Sequence, residues 1–378
     1  MTDLIQGETA AGFEPVRAAF EANFREDLEV GAAVCIFRKG ERVVDLWGGH
    51  RDMAGTTPWT ESTLVNVYST TKGPAAIAFA TLLEDGLIRY EDPVSEYWPE
   101  LSALERLSVG DLLAHRGGLC GVDAQLAVTD LYDWPKMIGL LEAQRPFWPP
   151  GTASGYHAVT WGYLPGELVR RITGETLAER LQQRICAPAQ ADFYLGVPDA
   201  EMSRIAPLVG PNRARVQRHK TAGARGKPGP FHAVALQNPV IRPYQDASSK
   251  PWQQAEIAAS NGHASARGVA RIYQQVLRAD GGILSSESLA ALTEERVGMV
   301  DDLVLGHPIR RGAGVILNTR AMFGPNPEAW GHSGTGGSKS FADPITGTAF
   351  GYVMNQMRDD EGESTRSGRL IDAYYGCL

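Results

Sequence analysis

Ser69-Thr70-Thr71-Lys72 opens a run to Glu84 in which Ala75, Ala76, Ile77, Ala78, Phe79, Ala80, Leu82 and Leu83 leave almost no polar face, and Gly86 follows where a C-terminal cap belongs. A helix apolar on every side is buried in a core rather than laid on a surface, so the run predicts a central helix entered through a serine and a lysine. S-x-x-K on a helix sets hydroxyl and amine three residues apart on one face, where the amine can help take the serine proton. A helix N-terminus also offers unpaired N–H groups and a positive dipole end, useful beside an oxyanion but hostile to an ammonium. The plain alternative makes Ser69 an N-cap and Lys72 a solvated charge. Seven lysines and 19 serines produce S-x-x-K about 0.35 times by chance, so the placement at a buried helix carries the weight.

Outward from this helix the pattern alternates between sheet and helix. Phe13, Val16, Phe20 and Phe24 recur at helical spacing. Val30 to Phe37 and Arg42 to Trp47 are β-rich runs joined across Arg38-Lys39-Gly40-Glu41, a spacing suited to a hairpin with glycine in its turn. Between Leu87 and Pro207 the text turns helical: Val109 to His115, Leu126 to Ala143, Thr160 to Thr173 ended by Gly174, and Leu177 to Cys186 ended before Pro188. Gly210 to Lys250 is rich in Gly, Pro, Arg and Ser and predicts a long connection or flap. Ser265 then precedes an amphipathic run through Val269, Ile272, Val276 and Leu277, closed by Gly281 and Gly282; Ala313 to Leu317 and Thr348 to Met354 read as strands, and Leu370 to Tyr375 as a closing helix. The expected architecture is mixed α/β: an antiparallel sheet flanked by N- and C-terminal helices, with an inserted, mainly helical lobe. Its expected divisions are residues 1–86 and 251–378 for the α/β body, 87–208 for the lobe and 209–250 for the flap.

A serine nucleophile needs a proton acceptor, and lysine or tyrosine serves when burial or a neighbouring cation lowers its pKa. Trp148-Pro149-Pro150-Gly151-Thr152-Ala153-Ser154-Gly155-Tyr156-His157-Ala158 presents such a tyrosine on a rigid Pro-Gly turn ahead of a helix, although a tyrosine taken alone is more often a half-buried packing residue.

Ser69-Thr70-Thr71-Lys72, the Pro150-Gly151-Thr152 to Ala158 segment and Trp330-Gly331-His332-Ser333-Gly334-Thr335-Gly336-Gly337 stand in the order of the three signature motifs of the penicillin-binding-protein/class C β-lactamase superfamily. Leu107-Ser108-Val109-Gly110-Asp111-Leu112-Leu113-Ala114-His115-Arg116-Gly117-Gly118-Leu119 and Tyr352-Val353-Met354-Asn355-Gln356-Met357 resemble it too, so the likeness runs from about Gly31 to Met357. Within it the chain most resembles the family VIII carboxylesterases. The resemblance implies a β-lactamase/transpeptidase-like fold, Ser69 as the acylated nucleophile, Lys72 and Tyr156 as general base and acid, and an oxyanion hole from the Ser69 and Thr335 N–H groups. His332-Ser333-Gly334 would form the opposite wall, with Gly334 on an edge strand admitting substrate close to the backbone, and Trp330, Val122 and Ala158 would complete the substrate pocket.

Departures from the β-lactamase pattern narrow the activity. His332 replaces the permanent cation of Lys-Thr-Gly, so attraction for a substrate carboxylate becomes weaker and pH-dependent. Ala158 replaces an asparagine that holds an acylamide side chain, and Gly121-Val122 offers no polar amide. Such a pocket suits uncharged, apolar acyl groups. The expected function is ester hydrolysis through an acyl-enzyme, with weak β-lactamase side activity. The alternatives are a D-stereospecific peptidase, a β-lactamase or an acyltransferase on the same acyl-enzyme, and a silent binding protein of the same fold. An α/β-hydrolase is disfavoured: Gly331-His332-Ser333-Gly334-Thr335 misses the last glycine of G-x-S-x-G and is not followed by an acid and a histidine in the required context.

Length and composition, 378 residues with 43% hydrophobic and 21% charged, suit one large globular body. A formal charge of −8 argues against wholesale binding of nucleic acid or anionic lipid. The basic cluster from Arg213 to Lys227 lacks aromatic residues for base stacking and reads as a solvated loop, with a flap over the pocket as its suggested role. Cys35, Cys120, Cys186 and Cys377 are too scattered for a zinc or redox site. No G-x-G-x-x-G or H-E-x-x-H occurs, and Gly226-Lys227 precedes Pro228, so no cofactor or metal is expected. The N-terminal residues lack a basic start and apolar run, and no stretch is long and apolar enough to span a bilayer. The expectation is a cytoplasmic enzyme acting on a small-molecule ester, with oligomeric state not legible.

Overall fold

A computed structural model describes residues 5–210, 227–278, 282–358 and 366–378. The basic cluster falls outside these residues except for Lys227. The chain opens on a strand that the sequence pattern did not announce, β1 (Ile5–Thr9), whose middle residues are exposed. Helix α1 (Glu14–Arg25) follows, burying Val16 and Phe20. Strands β2 (Gly31–Arg38) and β3 (Glu41–Gly49) form the expected hairpin, turned by Lys39 and Gly40 at φ +50° and +89°, the left-handed pair that a tight hairpin requires.

The short strands β4 (Val65–Asn66), β5 (Phe193–Tyr194) and β6 (His263–Ala264) make a small second sheet. The late strands β7 (Ile316–Leu317), β8 (Trp330–Ser333), β9 (Lys339–Asp343) and β10 (Thr348–Met354) return to the main one, whose order is β1-β3-β2-β10-β9-β8-β7, antiparallel throughout. The mixed α/β architecture with an antiparallel sheet is thus as expected.

Alternation along β10 shows how the sheet is covered. On one face Thr348 bonds the Tyr374 hydroxyl in the closing helix Arg366–Tyr375, which packs beside α1. On the other face Gly351 meets the helix Ala266–Val276, where a Cβ would stand 2.5 Å from Ala266 O. Ser265 caps that helix by accepting from the Gly268 N–H. Behind it lies α2 (Lys72–Glu84), buried from Lys72 to Leu82.

Several elements are shorter than their sequence patterns. The run Leu126 to Ala143 is broken into a 3-10 turn, Val128–Tyr132, and a helix, Trp134–Ala143, because Asp133 leaves helical geometry to cap the second piece. Leu177 to Cys186 is a short helix, Leu177–Leu181, followed by a π turn, Gln182–Cys186, and a last helical piece, Ala187–Ala189, that contains Pro188 and stops at left-handed Gln190. Proline is tolerated there because it sits in the first turn of the last piece, where its missing N–H is not needed. Ala313 to Leu317 supplies only the two residues of β7. Within Gly210 to Lys250, the helix His232–Leu236 packs onto Gly121, whose added Cβ would lie 2.5 Å from Val234 O, so this part is a seated element rather than open loop. Among the described residues no helix is long and apolar enough to cross a membrane.

Candidate active site

Ser69 does not open α2 itself. It lies in a 3-10 turn, Tyr68–Thr71, one step before it, and is half-buried. Tyr68 holds φ +46°, an uncommon value for a bulky residue that persists where surroundings over-determine it. Those surroundings are visible: the Tyr68 hydroxyl donates to Pro243 O, and its ring packs against Trp252 at 6.2 Å. Thr70 Oγ1 bonds Ser338 Oγ at 2.9 Å, Ser338 donates to Val67 O at 2.8 Å, and Thr71 Oγ1 accepts the Gly262 N–H at 2.9 Å. The two threonines inside the motif are therefore buried locks on the turn that presents Ser69.

Three side chains from two distant parts of the chain meet there. The Tyr156 hydroxyl donates to Ser69 Oγ at 2.7 Å, and Lys72 Nζ lies 3.5 Å from the same oxygen. Lys72 Nζ also donates to Ala158 O at 2.8 Å and Ala259 O at 2.9 Å, and sits 4.7 Å from the Tyr156 ring centroid. Burial of the ammonium holds Lys72 well below the ordinary lysine range, and the Arg311 guanidinium pushes it further down. As a neutral amine, Lys72 has two N–H donors for two carbonyls and a lone pair left for the serine proton. Among the described residues the Ser69 and Thr335 N–H groups take no partner within the protein, which leaves both available to an incoming oxygen.

Other expected pocket residues are placed differently. Trp330 is 1% exposed and packs on Tyr273 at 5.4 Å, a core residue beneath the site rather than a wall of it. Val122 is buried, with Asn238 donating to its carbonyl. Ala158 contributes its carbonyl to Lys72, as above. Gly334 lies just past β8, and that strand is not an edge, since β7 pairs with Trp330 and Gly331. A Cβ on Gly334 would stand 2.1 Å from Val67 O, so the missing side chain makes room for the Ser69 segment, not for substrate. Ser333 is half-buried, and its carbonyl accepts from His332 Nδ1 at 2.7 Å.

His332 is buried, and burial foremost, then Lys72, push it down to about 3. It is a neutral ring throughout the working range, so the weak, pH-dependent cation expected here is absent. The same holds for two histidines beneath Tyr156. His157 accepts the Leu119 N–H at Nε2 and donates from Nδ1 to Gly155 O, while His115 Nδ1 accepts the His157 N–H; each pattern requires the uncharged ring. The His115 ring, held at φ +64°, packs 5.1 Å from that of Tyr156.

A buried ion pair that no sequence pattern announces stands behind Tyr156. Arg311 pairs with Asp302 at 2.7 Å, with side-chain exposures of 3% and 0%. Asp302 Oδ1 accepts the N–H groups of Tyr156, Val304 and Leu305 at 3.0, 2.8 and 2.8 Å, and Arg311 donates to Ser154 Oγ at 3.0 Å. Among the described residues no group of three or more His, Cys, Asp or Glu side chains is placed to hold a metal ion.

Comparison with known proteins agrees with this geometry. The family described as Beta-lactamase matches residues 20–374. The chain is 33% identical over 360 residues to the esterase/beta-lactamase LipL of Mycobacterium tuberculosis, covering 91% of this chain and 81% of that protein. Among solved structures it is similar to a family VIII carboxylesterase, with a TM-score of 0.90 and 38% identity over 99% of this chain and 100% of the other. It is also similar to a penicillin-binding-protein homologue from Caulobacter crescentus, with a TM-score of 0.88 and 35% identity over 99% and 100%.

Proposed function

The chain belongs to the beta-lactamase family, and from that premise we propose that it is a serine carboxylesterase acting through an acyl-enzyme on Ser69. The observation that carries this reading is the meeting of Tyr156 and Lys72 on one hydroxyl, at 2.7 and 3.5 Å from Ser69 Oγ.

In acylation Ser69 Oγ attacks the ester carbonyl, and its proton passes to the Lys72–Tyr156 pair. The carbonyl oxygen becomes an oxyanion facing the Ser69 and Thr335 N–H groups; donors of this kind are worth about 3–4 kcal/mol each when removed. The tetrahedral adduct collapses, the C–O bond to the alcohol breaks, and the pair returns the proton to the departing alkoxide. In deacylation a water gives its proton to the same pair and attacks the acyl carbon, releasing the acid and restoring the Ser69 hydroxyl. Amine and oxygen leaving groups share this chemistry, but a β-lactam also brings a carboxylate. A neutral His332 offers that carboxylate no charge, which favours uncharged esters. The only covalent intermediate is the acyl group on Ser69 Oγ, and the scheme calls on no cofactor.

The test is mass spectrometry of the intact protein after exposure to a p-nitrophenyl phosphonate, with peptide mapping, beside rates on short-chain p-nitrophenyl esters and nitrocefin. The expected result is one phosphonyl group on Ser69, faster turnover of esters than of nitrocefin, and loss of about 10³-fold or more in Ser69→Ala. Labelling elsewhere, or turnover surviving in Ser69→Ala, overturns the reading.

A further inference from the structure

Every base around Ser69 is driven toward neutrality by burial. Lys72 and His115 are held well below their ordinary ranges, His157 is lowered to about 4 and His332 to about 3. Yet proton transfer through Tyr156 places negative charge on a phenol oxygen in this same enclosed space, and such charge is costly without a compensating cation. Arginine is the side chain that burial does not neutralise, and one stands close by. The Arg311 guanidinium carbon is 5.9 Å from the Tyr156 ring centroid. Its position is not incidental: Asp302 pairs with it and, with its other oxygen, grips the Tyr156 N–H.

We infer that Arg311 is the permanent cation of this site, a positioning residue that takes over the charge which His332 cannot supply, with Asp302 coupling its place to the main chain of Tyr156. The inference rests on the hydrolase reading above. The pair works in two ways. Asp302 accepts the Tyr156 N–H and Arg311 donates to the Ser154 hydroxyl, through bonds of 3.0 Å each, so the ion pair fixes the segment that carries Tyr156 at two points. The guanidinium charge favours the deprotonated amine of Lys72 and stabilises negative charge on the Tyr156 oxygen while the proton is in transit. The groups that face this proton-sharing pair are Ser69, His115, His157, His332, the Tyr273 hydroxyl above Gly73, Arg311 and its counter-ion Asp302. Of these, the histidines are neutral at working pH, and the ion pair holds the fixed charge.

The two halves of the pair make opposite predictions. Arg311→Met removes the positive charge, so Lys72 keeps its proton to higher pH and the acid limb of the kcat/KM profile moves up by about one unit, with roughly tenfold lower activity on the acid side of the limb. Asp302→Asn keeps an acceptor for the Tyr156 N–H but leaves Arg311 uncompensated, so the limb moves down. A purely structural pair would lower activity and thermal midpoint in both variants and leave the limb where it was, and that result overturns the inference. Should Arg311→Met not fold, Asp302→Asn is read beside Arg311→Lys, which keeps the charge and should leave the limb in place; an unmoved limb in Asp302→Asn then overturns the inference. Each variant is labelled with the phosphonate in parallel. Failure to label Ser69 in the unaltered chain is failure of the hydrolase reading, whereas labelling with an unmoved limb is failure of this inference alone.

Discussion

Gly334 and Val67 approach so closely that a Cβ on the glycine would stand 2.1 Å from the Val67 carbonyl oxygen. Val67 precedes the turn carrying Ser69, and Ser338 bonds both partners: it donates from Oγ to Val67 O at 2.8 Å and accepts the Gly334 N–H at its carbonyl, also at 2.8 Å. The contact is therefore a clamp between the end of β8 and the nucleophile. Neither backbone can yield as a flexible side chain would, so Gly334→Ala is expected to cost about 1–3 kcal/mol. It should also reduce kcat by a larger factor than stability alone explains, because the turn and the Thr335 N–H move apart. Thermal denaturation and ester kinetics on the same preparation check this, and an alanine variant with unchanged midpoint and kcat would show the clamp to be slack.

Tyr156 and Lys72 are expected to separate in mutagenesis. Tyr156→Phe removes one oxygen, 2.7 Å from Ser69 Oγ, and should lower kcat by about 10²–10⁴-fold with KM changed little. Its thermal midpoint should stay within a few degrees. Lys72→Met removes an amine that also satisfies Ala158 O and Ala259 O, leaving two buried carbonyls unpaired at about 1–3 kcal/mol each. It should lose activity and lower the midpoint, by less than the two carbonyls alone would, because relief of the buried amine acts in the opposite sense. Retention of more than about a tenth of the kcat in Tyr156→Phe would shift the proton-transfer role onto Lys72.

The three motifs that meet at Ser69 were legible because each carries its signal locally: an apolar helix behind Ser69, a Pro-Gly turn before Tyr156, and a glycine-rich turn after His332. The sheet was legible where strands alternate or run apolar, as in β2 and β10, and illegible where they are two residues long or polar on an edge, as in β7 and β1. Arg311 and Asp302 had no local signal at all. Their meaning lies in burial and in a contact with Tyr156, 146 residues from Asp302, and an arginine beside glycines reads as a surface loop until its surroundings are known. His332 differs from its expectation for a related reason: sequence shows that a histidine can carry charge, whereas only packing shows that burial pushes this one toward the neutral ring.

Buried neutral histidines also set the acid stability. His157 and His263 are lowered to about 4, and His332 to about 3, in each case first by burial. An unfolded chain takes up these protons near pH 6.5, while the folded one resists until the lowered values are reached, so the unfolded state binds more protons in between. Stability is accordingly complete above about pH 6.5 and falls toward pH 4, by roughly 3 kcal/mol per group at the low end. The thermal midpoint should decline steadily from about pH 7 to about 4.5, and His263→Gln, which lies outside the proton-sharing cluster, should flatten that decline. A midpoint insensitive to pH over this span would mean that the rings are charged or solvated in the folded chain.

The far side of the Thr335 turn is held by Arg366. Arg366 donates to Gly336 O at 2.5 Å and to Gln356 O at 2.8 Å, and is paired to Glu29 at 3.0 Å with side-chain exposures of 4% and 0%. The Tyr352 hydroxyl donates to the same carboxylate. Burial raises the Glu29 carboxyl while Arg366 and Tyr352 oppose that rise, so the carboxylate and its two partners hold one another in place. Glu29→Gln removes the buried carboxylate that Arg366 pairs with and should cost about 3–5 kcal/mol. The turn from Gly334 to Ser338 has two glycines at positive φ, Gly336 at +95° and Gly337 at +125°, and so depends on outside bonds for its shape. Loosening Arg366 should therefore lower kcat while KM for a short ester holds, because the Thr335 N–H is required when the oxyanion forms and not when the substrate binds. Stability and kcat measured together on Glu29→Gln decide the matter: a destabilised variant with full kcat at a temperature where it remains folded would confine the cluster to the core and remove it from the chemistry.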